Sequence, residues 1–287
     1  MNSTFRIAVV GDVHSYLDRV DVRLLDEAGY DLVLFVGDLA GLRLRSTLKV
    51  AQLIGTFRTP VLVVPGNHDA PNAVQLLAEV LHNERLVRLA DRGIERRADA
   101  IADALGPAGL AGYSLHDLTT ELQLVAARPH SMGGNALSFA PFLERRFKVQ
   151  SLDDSARLLC DLVDQSRAAN LLFVGHNGPS GVGGSRSDLW GCDFRAEEGD
   201  FGDPDLEVAI TYARSIGKSV VGVIAGHMHR RLRGGGERTE RLQRNGTLYL
   251  NAAQVPRIWK DARGHTRRHH VAVRWDGVEL EAEEILW

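Results

Sequence analysis

Residues 5–14 read F-R-I-A-V-V-G-D-V-H, an apolar run that stops at a glycine and is followed at once by Asp12 and His14. A short, β-branched apolar run closed by glycine predicts a buried strand. The same phrase returns further along the chain. Residues 32–36 (L-V-L-F-V) lead into Gly37 and Asp38, and residues 61–64 lead into P-G-N-H-D at 65–69. Residues 171–174 lead into Gly175 and His176, and residues 220–225 into G-H-M-H at 226–229. Five predicted strands thus deliver polar, metal-competent side chains just past their carboxyl ends. That is where ligands gather in open α/β sheets.

Between these strands, apolar residues recur at helical spacing. Leu17, Val20, Leu24, Leu25 and Ala28 form one such set, stopped by Gly29. Ala73, Val74, Leu76, Leu77, Val80 and Leu81 form another, Ala156, Leu158, Leu159, Leu162 and Val163 a third, and 206–216 a fourth. Strands alternating with amphipathic helices predict a layered α/β fold. Residues 247–250 and 271–275 add β-structure near the end. Over 83–150 the pattern loosens to a strand at 122–127 and a Gly-rich turn at 131–135. That stretch reads as an insertion or variable region within one domain spanning 1–287.

The 287 residues are 44% hydrophobic and 25% charged, with a net charge of -3. Such a balance suits a globular enzyme and gives no global basic field for nucleic acid or an anionic membrane. Cys160 and Cys192 stand far apart and read as free thiols of a reducing compartment. The first residues lack a charged-then-apolar leader, and no apolar run is long enough to span a bilayer. A cytoplasmic protein is expected, with no membrane partner; oligomeric state is left open.

Each polar residue also has an ordinary reading. A lone Asp after a strand is usually a turn former or helix cap, and a lone His is more often structural than a ligand. Five such loops in one chain, each introduced by glycine, weaken that reading. Five of the 11 histidines lie in these loops. His82, His116, His130, His265, His269 and His270 do not, and all but His130 are taken as structural. Aspartate, imidazole and amide oxygen suit Mn²⁺, Fe or Zn²⁺, whereas the absence of thiolate argues against copper(I) and iron–sulfur clusters. Asp12-x-His14 aims two donors at one ion. Asp38, alone on its loop, is the natural bridge between two ions.

G-D-V-H, G-D-L-A, G-N-H-D, G-H-N and G-H-M-H, in that order, resemble the five blocks of the calcineurin-like metallophosphoesterases. The resemblance implies a four-layer α/β/β/α sandwich of two mixed sheets flanked by helices. It implies two divalent or mixed-valence metal ions, and hydrolysis of a phosphate ester by metal-activated water. By position, Asp12, His14, Asp38 and His229 match the ligands of one metal, and Asp38, Asn67, His176 and His227 those of the second. His68 matches the proton donor or phosphate binder, and Asp69 the acid that orients it. The second block lacks the Asp-Arg of Ser/Thr protein phosphatases, and Asp69 stands where they carry Glu. The resemblance is therefore closer to the bacterial-type branch, with a phosphomonoester or phosphodiester of a small metabolite or nucleotide as expected substrate. A nuclease of the same superfamily and a non-catalytic scaffold are the alternatives.

Two stretches are candidates for substrate contact. Arg128 and His130 lead into Gly133 and Gly134, and the loop 178–203 holds Arg186 and Trp190. An arginine in a Gly/Ser-rich loop can clamp a phosphate, and Trp190 offers a flat face for a lid. The cluster Arg230, Arg231, Arg233, Arg238, Arg241 and Arg244 is interrupted by Glu237 and Glu240 and reads mainly as a solvated hairpin face.

Overall fold

The computed structural model describes residues 4–81, 83–91 and 93–287; His82 lies outside them. Strand β1 (Phe5–Val10) leads through helix α1 (Arg19–Glu27) to β2 (Leu32–Phe35), then through α2 (Leu44–Ile54) to β3 (Val61–Val63). Helices α3 (Ala73–Val80), α4 (Glu84–Ala90) and α5 (Ile94–Leu105) precede β4 (Gly109–Leu110). These four strands run parallel. The chain then builds a second sheet from β5 (Ser114–Asp117), β6 (Leu122–Ala126), β7 (Asn170–Val174), β8 (Ser219–Ala225), β9 (Arg241–Arg244) and β10 (Thr247–Asn251). Helices α6 (Ala140–Phe147) and α7 (Leu152–Gln165) separate β6 from β7, and α8 (Pro204–Ser215) precedes β8. Finally β11 (Ile258–Lys260), β12 (Thr266–Trp275) and β13 (Leu280–Leu286) return to the first sheet, where β12 lies antiparallel to β1. Strand order is β11-β12-β1-β2-β3-β4, with β13 on β12, in one sheet and β5-β6-β7-β8-β10-β9 in the other. Both sheets are mixed.

Successive side chains of a strand point to opposite faces, so a strand buried on both sides must be apolar throughout. β1 obeys this rule. Ile7 and Val9 face inward and share a cluster with Leu124, Leu172, Val174 and Ile224 of the second sheet. Ala8 and Val10 belong to the other cluster, with Val22, Leu25, Val50 and Ile54 from α1 and α2. On the far side, α7 and α8 pack against each other and over the second sheet. The result is a sandwich of two mixed sheets flanked by helices. Residues 83–150 contribute α5, which packs on α2, the edge strand β4, and the first two strands of the second sheet. No described helix is long and apolar enough to cross a membrane. Both cysteines are free.

Two expectations change. The apolar pattern at 73–81 does form a helix, but only Leu76 and Ala78 of its apolar residues are buried, while Val74, Leu77, Val80 and Leu81 face outward. Trp190 is not a lid surface. It is 1% exposed, and a side chain at Gly178 would fall on its indole ring. The loop around it closes on itself: Asp203 N donates to Gly178 O at 2.7 Å and Phe201 N to Trp190 O at 2.9 Å. Trp190 is the core of that loop. Trp190→Ala should therefore cost about 3–5 kcal/mol of stability, read as a large drop in the urea unfolding midpoint; an unchanged midpoint would place the ring outside the core.

Candidate metal centre

The five strand-end loops converge. Asp12, His14 and His229 form one group of potential ligand atoms, and Asp38, His176 and His227 a second. In the first, His14 Nε2 lies 3.2 Å from His229 Nε2, and His229 Nε2 lies 3.1 Å from Asp12 Oδ2. In the second, His176 Nε2 lies 2.9 Å from Asn67 Oδ1 and 3.5 Å from Asp38 Oδ1. Asp38 also reaches the first group, its Oδ2 being 3.6 Å from His14 Nε2. One carboxylate thus turns one oxygen to each group.

These spacings fit a cation. Donor atoms bound to one ion at about 2.0–2.2 Å stand roughly 3–3.5 Å from one another. Asp12 Oδ2 is buried and without a hydrogen-bond donor of good geometry, although His229 Nε2 is 3.1 Å away. Two imidazoles have their tautomers fixed by carbonyls, as ligating histidines usually do. His176 Nδ1 donates to Val36 O at 2.8 Å, which frees Nε2, and His227 Nε2 donates to Met132 O at 3.1 Å, which frees Nδ1.

Electrostatics agree. Burial pushes His227 down to about 3, helped by the neighbouring His176. Burial would push His176 down too, but Asp38 and Asp12 raise it. Burial works to raise the Asp12 carboxyl, yet His229 and the imidazoles of His176 and His14 hold it below the usual range. Ionised carboxylates, with the lone pairs of neutral imidazoles among them, leave a concentrated acceptor site, which suits a divalent ion.

The backbone is strained at the same places. Asp12, His14, Asp38 and His227 have φ of 44°, 42°, 49° and 69°, conformations that side chains rarely adopt. Each costs of order 1–3 kcal/mol and persists where the surroundings impose it. Here they are imposed by hydrogen bonds between loops. His14 N donates to Asp38 O at 2.7 Å, His227 N to Asp12 Oδ1 at 2.9 Å, and His68 N to Asp38 Oδ1 at 2.9 Å. Glycine provides the space. A side chain at Gly37 would strike His176 Nδ1, and one at Gly66 would strike Asp38 Oδ1.

His68 stands at the rim, half-buried, its ring edge-on to His14 at 5.6 Å between centroids. Asp69 does not hold that ring. Its Oδ1 accepts from Leu39 N and its Oδ2 from Gly66 N, both at 2.7 Å, so it ties the second and third loops together. Burial and the charge of Asp38 push Asp69 up to about 7.

The expected substrate residues lie elsewhere in role. Arg128 is 1% exposed and donates to Asp205 at 2.9 Å and Asp203 at 3.0 Å, so its charge is already matched. Asp203 also accepts from Ser131 Oγ at 2.7 Å, and Asp205 from Ser155, making a buried network under the site. His130 is buried, with Nδ1 on Gly66 O at 2.7 Å and its ring against Phe139 and Phe142; burial lowers it to about 4. It supports the third loop. Arg186 Nη2 donates to Arg233 O and Gly235 O at 2.9 and 3.1 Å, fastening one loop to the next. Much of the basic cluster is consumed. Arg230 pairs with Glu237, Glu240 and Glu284, and Arg238 is buried on the carbonyls of Arg186, Asp188 and Gly191. Sequence reasoning missed Phe194, Phe201 and Met132, which line a cavity beside His227. The glycine pair 133–134, with φ of 78° and 75°, was the available sign of a close approach there.

The profile of calcineurin-like phosphoesterases matches residues 5–231. The chain belongs to the calcineurin-like phosphoesterase family. Solved structures of similar shape include TT1561 of Thermus thermophilus, at TM-score 0.55 and 10% identity over 98% of this chain and 99% of that one. A dimetal phosphatase from Danio rerio is similar at TM-score 0.53 and 14% identity, covering 97% and 98%. PhoD is similar at TM-score 0.51 and 9% identity, covering 100% of this chain and 69% of PhoD. At such identities the likeness is one of fold. A search of curated proteins finds no match.

Asp38→Asn should lower metal content in both groups, because one residue serves each. His229→Ala should empty mainly the first group and His176→Ala the second. Gly66→Ala should mimic Asp38→Asn by displacing that carboxylate. Elemental analysis after dialysis against limiting Mn²⁺ reads all four; two retained ions per Asp38→Asn chain would contradict the shared carboxylate.

Proposed function

We propose that the protein hydrolyses a phosphate ester of a small molecule, a phosphomonoester or phosphodiester, using two divalent metal ions. Asp12, His14, Asp38 and His229 would hold one ion, and Asp38, Asn67, His176 and His227 the other. The observation that carries this reading is the division of Asp38 between two groups of donors, Oδ1 beside His176 and Oδ2 beside His14. Manganese, iron and zinc all suit oxygen and imidazole donors. Bound ions of this kind withdraw charge from phosphoryl oxygens and lower the pKa of water towards neutrality.

The remaining work belongs to the chain. Asp38 fixes the backbone of His68, and Asp69 braces the turn beneath it, so the imidazole is held at the rim without side-chain restraint. From there it can pass a proton to the departing oxygen or bind the phosphoryl group. Glu237, Glu240 and Glu284 around Arg230, and Asp193 beside Arg238, take two charges out of the basic cluster, which favours a small substrate over a nucleic acid. The two free thiols fit a reducing, cytoplasmic setting.

Turnover of p-nitrophenyl phosphate or its bis ester by Mn²⁺-, Fe- or Zn²⁺-loaded protein tests the reading; no turnover with any metal would leave a scaffold. His68→Ala should keep its metals and lose roughly 10²–10⁴ in rate. The loss should shrink for leaving groups that need no proton. Equal losses for good and poor leaving groups would reduce His68 to phosphate binding.

A further inference from the structure

A cavity of about 400 Å³ opens beside the second ligand group and has His227 in its wall. That volume lies in the range of small-molecule sites. Its walls are largely apolar: Val80 of α3, Met132, Ala136, Phe194 and Phe201. The two phenylalanine rings meet edge to face, 5.1 Å apart at 84°. Gly133 and Gly134 let the Phe201 ring lie against the backbone, since a side chain at either would collide with Phe201. The cavity is joined to the ligand group by the hydrogen bond from His227 to Met132 O.

Besides His227, four polar side chains line this space: Ser138, Arg195, which pairs with Glu198 at 3.5 Å, Arg233 and Glu79. Arg233 places its guanidinium 5.6 Å above the Phe194 ring, and among the described residues it has no carboxylate partner. Asp193 is near, but it accepts from the Arg233 backbone N–H and pairs with Arg238. Arg186 fixes the Arg233 turn from behind. Glu79 offers a carboxyl whose Oε1 takes only the Phe139 N–H, at 2.8 Å. Guanidinium supplies donors alone, and a carboxylate supplies acceptors. A largely apolar slot that offers the unpaired Arg233 guanidinium and the Glu79 carboxyl is complementary to a flat ring that carries both acceptor and donor edges.

We propose that this cavity receives the organic group of the substrate, and that this group is a nucleobase-like heteroaromatic ring recognised by Phe194, Phe201, Arg233 and Glu79. The proposal rests on the phosphoesterase reading and names its substrate class. The reacting phosphate lies at the strand ends, and the ring extends past His227 into the cavity. A hydrophobic slot of this kind typically discriminates by roughly 10–200-fold.

Two diesters with one leaving group test it on metal-loaded protein: thymidine 5′-(p-nitrophenyl phosphate) and methyl p-nitrophenyl phosphate. The nucleoside ester should show about tenfold or greater kcat/KM, and Arg233→Ala and Phe201→Leu should each bring that ratio towards one. Arg233 is exposed, so its variant also guards against a folding artefact. Calorimetric binding of thymidine 5′-methylphosphonate, against methylphosphonate alone, gives a readout independent of turnover. Weaker nucleoside binding in both variants supports the cavity even where neither diester is hydrolysed, in which case the phosphoesterase reading falls. Equal hydrolysis of the two diesters, with equal binding of the two phosphonates, overturns the cavity assignment and leaves the phosphoesterase reading standing.

Discussion

Three buried aspartates hold the strand-end loops in register, and the rest of the site depends on how their oxygens are divided. Asp12 gives Oδ1 to the His227 amide and leaves Oδ2 without a directed partner. Asp38 gives Oδ1 to the His68 amide while both its oxygens face imidazoles. Asp69 gives both oxygens to amides and keeps nothing for a ligand. A carboxylate without a counter-charge is expensive to bury. Two of the three are therefore satisfied only in part by the protein, and the deficit faces the same small volume. A cation held there would complete the charge balance of the loops that surround it.

This balance also explains the backbone. Left-handed conformations at Asp12, His14, Asp38 and His227 turn each side chain sharply out of the strand direction and towards its neighbours. Without the cross-loop hydrogen bonds the strain would relax, because each loop alone could choose a cheaper conformation. The glycines have a different task. Gly37 and Gly66 are placed where the next loop passes so closely that a methyl group would displace His176 or Asp38. Strain and close approach are thus two parts of one requirement, that donors from distant strands meet within the radius of one ion.

Much of this was legible in the sequence because its signals are local. An apolar run, a glycine and then Asp or His are neighbours in the chain, and all five such loops converge in the structure. The alternation of strand and helix likewise carried the layering. What failed depends on contacts across the fold. Arg128 reads as a free cation in a Gly-rich stretch until Asp203 and Asp205, 75 and 77 residues later, are brought against it. Trp190 reads as exposed because nothing nearby in sequence shows that Gly178 lies against its ring or that Phe201 N bonds its carbonyl. Asp69 was expected on the His68 ring as its chain neighbour, but the adjacent amides of Leu39 and Gly66 compete better for a buried carboxylate. The looseness of 83–150 came from short strands, of which β4 has only two residues, and from helix α4, which leaves Leu86 and Leu89 exposed.

Arg186 shows how the two halves of the site are separated. Its guanidinium is tied to the carbonyls of Arg233 and Gly235, so it cannot also swing over the strand ends as a phosphate clamp. What it does instead is restrict the turn that carries Arg233, whose own guanidinium has no acidic partner among the described residues and lies over Phe194. The groups able to bind cations sit at the ends of strands, where the sheets hold them rigid. Apart from Glu79 and Val80 of α3, the groups that line the cavity beside His227 sit on 132–138, 194–201 and 233, in loops joined by backbone hydrogen bonds such as Gly134 N to Phe201 O at 3.0 Å. Changing those loops would alter what fits beside His227 without moving Asp12 or Asp38. On the proposed reading, that separation would let one arrangement of strand ends serve different esters, with selectivity set by residues outside the five strand-end blocks.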